Sequence, residues 1–100
     1  MVRVKFILFH LDSLKRRAQS KFSDEFQSDT PLEDVIMNFY KMFVHQLHGQ
    51  KFEPRLAYCV GEANKENSKP VMKEDLYKSL DQLASFKTIH QFTIIADNID

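Results

Sequence analysis

The sequence predicts an α+β fold in which a mixed four- to five-stranded sheet packs on one long helix, with a second, shorter helix alongside. Three observations predict it. Thr30 to Leu47 (TPLEDVIMNFYKMFVHQL) has helical periodicity with one broad apolar face. Val2 to Leu11 alternates at its start with a strand's period of two, and His90 to Ala96 (HQFTIIA) is rich in β-branched and aromatic residues. The 100 residues form a single domain, 1–100, large enough to bury a core without disulfides or metals.

Taken in order, Val2 to Leu11 places Val2, Val4, Phe6 and Leu8 on one side and Arg3, Lys5, Ile7 and Phe9 on the other. The first set should meet the helix. The second puts two cations on an outward face beside two apolar residues that need a flanking element or a partner. Asp12 to Ser20 (DSLKRRAQS) is polar and basic and predicts a long hairpin connection. Lys21 to Gln27 (KFSDEFQ) has Phe22 and Phe26 at even spacing, which predicts a second strand antiparallel to the first. Asp24 between them is unsuited to burial, so that strand should be short or bulged.

The helix has a complete start signal. Thr30 supplies a cap, Pro31 fits the first helical position, and Glu33 closes a capping box. Leu32, Val35, Ile36, Phe39, Met42, Phe43 and Leu47 line the buried face, while Asp34, Asn38, Lys41 and His45 face water. Met37, Tyr40 and Val44 make a secondary stripe for a loop or the second helix to cover. His48-Gly49-Gln50 stops the helix, with Gly49 suited to a left-handed cap. Arg55 to Val60 (RLAYCV) is a third strand. Gly61 to Pro70 (GEANKENSKP) is a polar excursion that at most flanks a very short strand at Val71. Lys73 to Phe86 predicts the second helix, with Leu76, Leu80, Leu83 and Ala84 on one stripe, and His90 to Ala96 closes the chain as the last strand.

Two topologies fit that order. A β-grasp, the ubiquitin-like arrangement, opens with a hairpin, crosses one helix over the sheet, and inserts its last strand beside the first. A ferredoxin-like pair of βαβ units needs Lys21 to Gln27 to be loop and the helices to be equal partners. Phe22 and Phe26 read better as strand residues and one helix dominates, so the β-grasp is the expectation.

Composition narrows the function classes. Lys plus Arg and Asp plus Glu each number 14, so bulk charge supplies no attraction to nucleic acid or to a membrane surface. Lys15-Arg16-Arg17 has no aromatic platform beside it and reads as a solvated loop. Phe6 to Leu11 is too short to span a bilayer and no signal-peptide cleavage site follows it. The lone cysteine, Cys59, suits a reducing compartment, and a cytoplasmic location is the expectation. It reads as a small buried hydrophobe, with no base placed to activate it. His45 and His48 lack a supporting ligand constellation, and two glycines leave no phosphate-cradling loop. No catalytic residue, metal or cofactor is expected.

VRVKF at Val2 to Phe6, LEDV at Leu32 to Val35, EDLYKSLDQL at Glu74 to Leu83 and FTIIAD at Phe92 to Asp97 together resemble the Phox-and-Bem (PB-one) domain, nearest to the form at the front of mitogen-activated kinase kinase kinases. Phe26 also sits where that form carries a phenylalanine. The resemblance covers nearly the whole chain. It implies a non-catalytic domain of a signalling scaffold or kinase that pairs head to tail with an acidic face of another β-grasp domain. By that resemblance Lys5 is the first-strand lysine, with Arg3 nearby, Lys21 assists at the start of the second strand, and Arg16 and Arg17 are looser candidates. The connection from Asp12 to Ser20 is longer than the family's hairpin. The acidic motif is diluted: Glu62, Glu66, Glu74 and Asp75 alternate with Lys65, Lys69 and Lys73. A basic-face-only domain follows, one that forms a heterodimer and self-associates only weakly. Two other classes stay open. One is a ubiquitin-like domain or mimic recognised through its sheet surface, although the closing ADNID lacks a Gly-Gly for conjugation. The other is a small enzyme or ligand-binding ferredoxin-like domain, for which no paired carboxylates, metal cluster or activated nucleophile stand at recognisable spacing.

Overall fold

The computed structural model describes residues 1–62 and 66–99. Five strands and two α-helices follow in the order β1 (Val2–Leu11), β2 (Arg17–Phe26), α1 (Leu32–Phe43), β3 (Arg55–Val60), β4 (Lys69–Pro70), α2 (Leu80–Leu83) and β5 (Gln91–Asp97). The fold is α+β. One mixed sheet has the order β2-β1-β5-β3-β4; β1 and β5 run parallel at its centre and the other pairs are antiparallel.

The even-numbered side of β1 makes the core. Val2, Val4, Phe6 and Leu8 are buried together with Leu32, Val35, Ile36, Phe39 and Phe43 of α1. Phe6 is its centre: its ring stacks on Phe39 at 5.0 Å and on Phe43 at 5.3 Å. Phe22 and Phe26 of β2 tilt against Phe43 and Phe39, extending the same aromatic layer. Met42, expected in that layer, lies at its margin and is exposed. Tyr40 of the secondary stripe meets Phe52 of the connection to β3, whereas Met37 stays exposed.

The long connection expected from Asp12 to Ser20 is instead a tight turn, and β2 begins at Arg17. Asp12 explains it. Its carboxylate accepts the amides of Leu14 and Arg16, each at 2.9 Å, and the Arg16 guanidinium at 3.1 Å, while Asp12 N–H donates to Arg16 O at 2.8 Å. Lys15 completes the turn with φ of 59°. A three-residue hairpin loop ending in a left-handed residue needs this geometry. The second strand is therefore neither short nor bulged, because Asp24 is exposed on an edge strand and accepts from Asn38 Nδ2 of α1 at 3.1 Å.

Both helices depart from the periodicity. The side chain of Thr30 caps nothing; Pro31 takes the cap position in an extended conformation, and Leu32 N–H donates to Lys78 O at 2.9 Å. Backbone from across the fold does what the capping box was expected to do. At the other end, Val44–Leu47 tightens into a 3-10 turn before His48 and Gly49 reverse the chain with φ of 51° and 83°. The second helix is broken: a 3-10 turn, Lys73–Tyr77, is separated from α2 by extended Lys78 and Ser79. The break has a cause, since Pro31 and Ser79 form an isolated β-bridge and Leu80 N–H donates to Thr30 O. A continuous helix would remove the strand-like residues that tie down α1.

Two outcomes test this turn. Lys15→Gly should raise stability by about 1 kcal/mol in urea unfolding, because glycine takes a left-handed conformation without the Cβ penalty. The Arg16 amide, assisted by that of Leu14 and by the guanidinium, holds the Asp12 carboxyl below the usual carboxylate range. A depressed carboxyl favours the folded turn above the unfolded pKa, and that contribution disappears as pH falls through the folded value. An NMR titration should place the Asp12 inflection below the usual carboxylate range, and an inflection within or above that range rejects the assignment.

Candidate functional site

Alternation along β1 leaves a second face to the sheet. Each odd-numbered residue of β1 stands between a neighbour on β2 and one on β5: Lys5 between Ser23 and Thr93, Ile7 between Lys21 and Ile95, Phe9 between Gln19 and Asp97. β3 widens the surface, with Ala57 opposite Ile95 and Arg55 opposite Asp97. The helices pack on the even side, so no helix among the described residues covers this odd side. Among the described residues its lower end is closed by the turn after β3: Thr93 donates to Gly61 O at 2.8 Å, and the Cys59 thiol donates to Glu62 O at 3.1 Å. Ile7 is 8% exposed yet lies outside the core cluster. It is shielded by its lateral neighbours within one layer.

The surface is an apolar strip, Ile7, Phe9, Ile95 and Ala57, with charge on both sides. Toward its upper end a groove of about 560 Å³ is lined by Phe9, Arg17, Gln19, Arg55, Asp97 and Ile99. Of the residues expected from sequence to meet a partner, Arg3, Lys5, Arg17 and Lys21 share this face. Arg16 does not, because its guanidinium is held in the hairpin turn by Asp12. Two carboxylates temper the cations. Glu25 lies 3.7 Å from Arg3, and Asp97 accepts the Ile99 amide at 3.2 Å. Positive charge prevails around an apolar centre.

The dilute acidic segment makes no opposing pole. Asp75 is buried, accepting the Met72 amide at 2.9 Å and Lys78 Nζ at 3.3 Å; its charge and, more so, burial push the Tyr58 hydroxyl pKa upward. Glu62, Glu66 and Glu74 are exposed, and Lys65 lies outside the described residues. His45 and His48 are exposed, and among the described residues no three His, Cys, Asp or Glu side chains gather as a metal requires. Among the described residues no helix is long and apolar enough to cross a membrane.

Sequence reasoning missed Arg55, Ile95 and Asp97. Their alternation was legible, but which strand pairs with β1, and therefore which parity joins its open side, was not. It also missed a strut beneath the sheet: His10 Nε2 lies 2.9 Å from Ser20 Oγ, which donates to Gln46 Oε1 at 2.6 Å. His10 is 5% exposed. This contact ties the hairpin to the turn after α1.

A family model described as "Domain of unknown function (DUF508)" matches residues 1–98. An uncharacterized protein of Caenorhabditis elegans is 54% identical over 97 residues, covering 97% of this chain and 32% of that protein. The chain thus spans about a third of the length of this curated relative. No solved structure matches. These matches overturn the resemblance to the PB-one domain, since the family that covers the chain is a different one. VRVKF and FTIIAD are the alternation of paired central strands, and LEDV and EDLYKSLDQL are amphipathic turns. Such patterns follow from packing a sheet on a helix and do not by themselves mark descent. The head-to-tail pairing and the kinase or scaffold setting rested on that resemblance and lose its support.

Core and open face should differ in unfolding measurements. Leu8→Ala should cost about 2–5 kcal/mol, as for a leucine packed on all sides, and Ile7→Ala clearly less, because one side has no packed layer. Equal losses would mean that the odd face is covered.

Proposed function

This chain belongs to the DUF508 family, and we propose that it is a non-catalytic protein-binding module whose open sheet face takes an acidic protein surface. The observation that carries the reading is the placement of Arg3, Lys5, Arg17, Lys21 and Arg55 on one uncovered face around Ile7, Phe9 and Ile95. Phe9, Ala57 and Ile95 are half-buried beside a buried Ile7, so the strip offers a partner modest apolar contact, and rim cations select partners by charge and speed encounter. The fold that fits the reading is the ubiquitin-like β-grasp: an opening hairpin, one dominant helix, and the last strand parallel to the first at the centre of the sheet. The His10–Ser20 contact supports the non-catalytic reading, because it lies on the helix side and the Ser20 hydroxyl is committed to Gln46. A cytoplasmic setting belongs to the same proposal, given a lone thiol, Cys59, inside the sheet.

A second reading uses the same face. Ile7, Ile95 and Ala57 favour a ubiquitin-like domain recognised mainly by apolar contact, and salt separates the two. The test is NMR titration with synthetic peptides rich in Asp and Glu that carry a single Leu or Phe, at low and high salt. Shifts should fall on Lys5, Ile7, Phe9, Arg17 and Arg55, and affinity should drop as the Debye length shrinks below about 8 Å. Lys5→Glu should weaken binding about tenfold, equivalent to about 1.4 kcal/mol, with an unchanged unfolding midpoint. Shifts confined to the helix side, or Lys5→Glu binding normally, reject the face. Salt-independent binding at the same residues selects the second reading.

A further inference from the structure

We infer that β2 is a homodimerisation edge, on which a second copy of this chain adds its own β2 in antiparallel register about Ser23. β2 ends the sheet order, so among the described residues one side of it meets no other strand. The hydrogen-bond parity of the hairpin says which groups it offers. Asp12 N–H donates to Arg16 O, so even-numbered residues of β2 turn their backbone toward β1, and Arg17, Gln19, Lys21, Ser23 and Glu25 turn theirs outward. Arg3 N–H donating to His90 O gives the same parity on β1, whose odd residues serve β5. Ten residues of regular strand without a bulge form a long edge, a template for strand addition.

Charge selects both the occupant and the register. β2 is basic in its first half, with Arg17 and Lys21, and acidic in its second, with Asp24 and Glu25. Antiparallel pairing with itself sets each half against its complement. Centred on Ser23, it places Lys21 opposite Glu25 twice, on the open face, each Glu25 already beside Arg3 of its own chain. Centred on Lys21, it would set the two Lys21 side chains against each other, a repulsion that offsets the Arg17–Glu25 pairs of that register and disfavours it. One group must yield: Glu25 N–H is held by its neighbour Asp24 Oδ1 at 2.8 Å, an exposed local bond that the incoming carbonyl replaces. The product is a ten-stranded sheet with two open faces side by side. The two readings share Lys21 on the open face, but strand addition also needs the backbone edge of β2, which the peptide-binding reading does not use, so Ser23→Pro tells them apart.

Sedimentation velocity over a rising concentration series tests it. The mass should rise from 11.8 kDa toward twice that value. Ser23→Pro should stay monomeric throughout while keeping its circular dichroism, because the lost amide points outward and proline is tolerated on such an edge. Lys21→Glu should weaken association at least tenfold, and Lys21→Glu with Glu25→Lys should restore it. If Ser23→Pro fails to fold, the charge swap alone decides. A protein that is monomeric at every concentration, a dimer that Ser23→Pro leaves intact, or a double variant that does not regain association overturns the inference. Acidic-peptide binding by monomeric Ser23→Pro bears on the proposed function alone.

Discussion

The structure depends on Phe6 lying between the central strand and the helix, its ring stacked on Phe39 and Phe43 at once. One side chain thereby fixes the height of α1 above the sheet and its rotation about its own axis. Burial of three aromatic rings supplies a large apolar term, and their parallel-offset geometry adds a smaller directional one. Phe22 and Phe26 then find places beside the same two helix rings, so β2 is held by the stack as well as by its ladder. Phe52 closes the far side against Tyr40 and Phe43.

That constraint determines what the other face becomes. With Phe6 committed to the helix, strand geometry sends Lys5 and Ile7 to the opposite side, and pairing on both flanks sends Lys21, Thr93 and Ile95 with them. Among the described residues no second long helix lies there, since the segment with that periodicity is broken at Lys78 and Ser79. The break in turn holds the start of α1 through Leu32 and Thr30. Anchoring one helix and leaving the sheet open are therefore two results of one local conformation. A surface left in this way is free to carry recognition chemistry without strain on the core.

The elements read correctly from sequence share a feature: their signals are repeated many times along the segment. Four alternating apolar residues identify β1, and Leu32, Val35, Ile36, Phe39 and Phe43 identify the buried stripe of α1. The misread elements turn on single groups. Asp12 converts a polar run into a tight turn by accepting two backbone amides and a guanidinium at once, which no periodicity announces. Thr30 and Glu33 have the composition of a cap, but the Lys78 carbonyl reaches the Leu32 amide from 46 positions along the chain. The family resemblance failed for a related reason. Short strand and helix patterns are shared by unrelated chains that solve the same packing problem, whereas a match over 98 positions compares the whole chain.

By itself the sequence determined that alternating and 3.6-residue apolar patterns would bury one side of a first strand against one main helix, with Lys5 on the other side. These are properties of neighbours along the chain, where the spacing of side chains follows from backbone geometry. Only the tertiary structure decided which strand lies next to which. It thereby decided that Arg17 and Arg55 flank Phe9, that Arg16 is withdrawn into a turn, and that one long edge of the sheet has no neighbour. Those outcomes depend on contacts between residues far apart in sequence, and the free energy that selects among them is shared over the whole core.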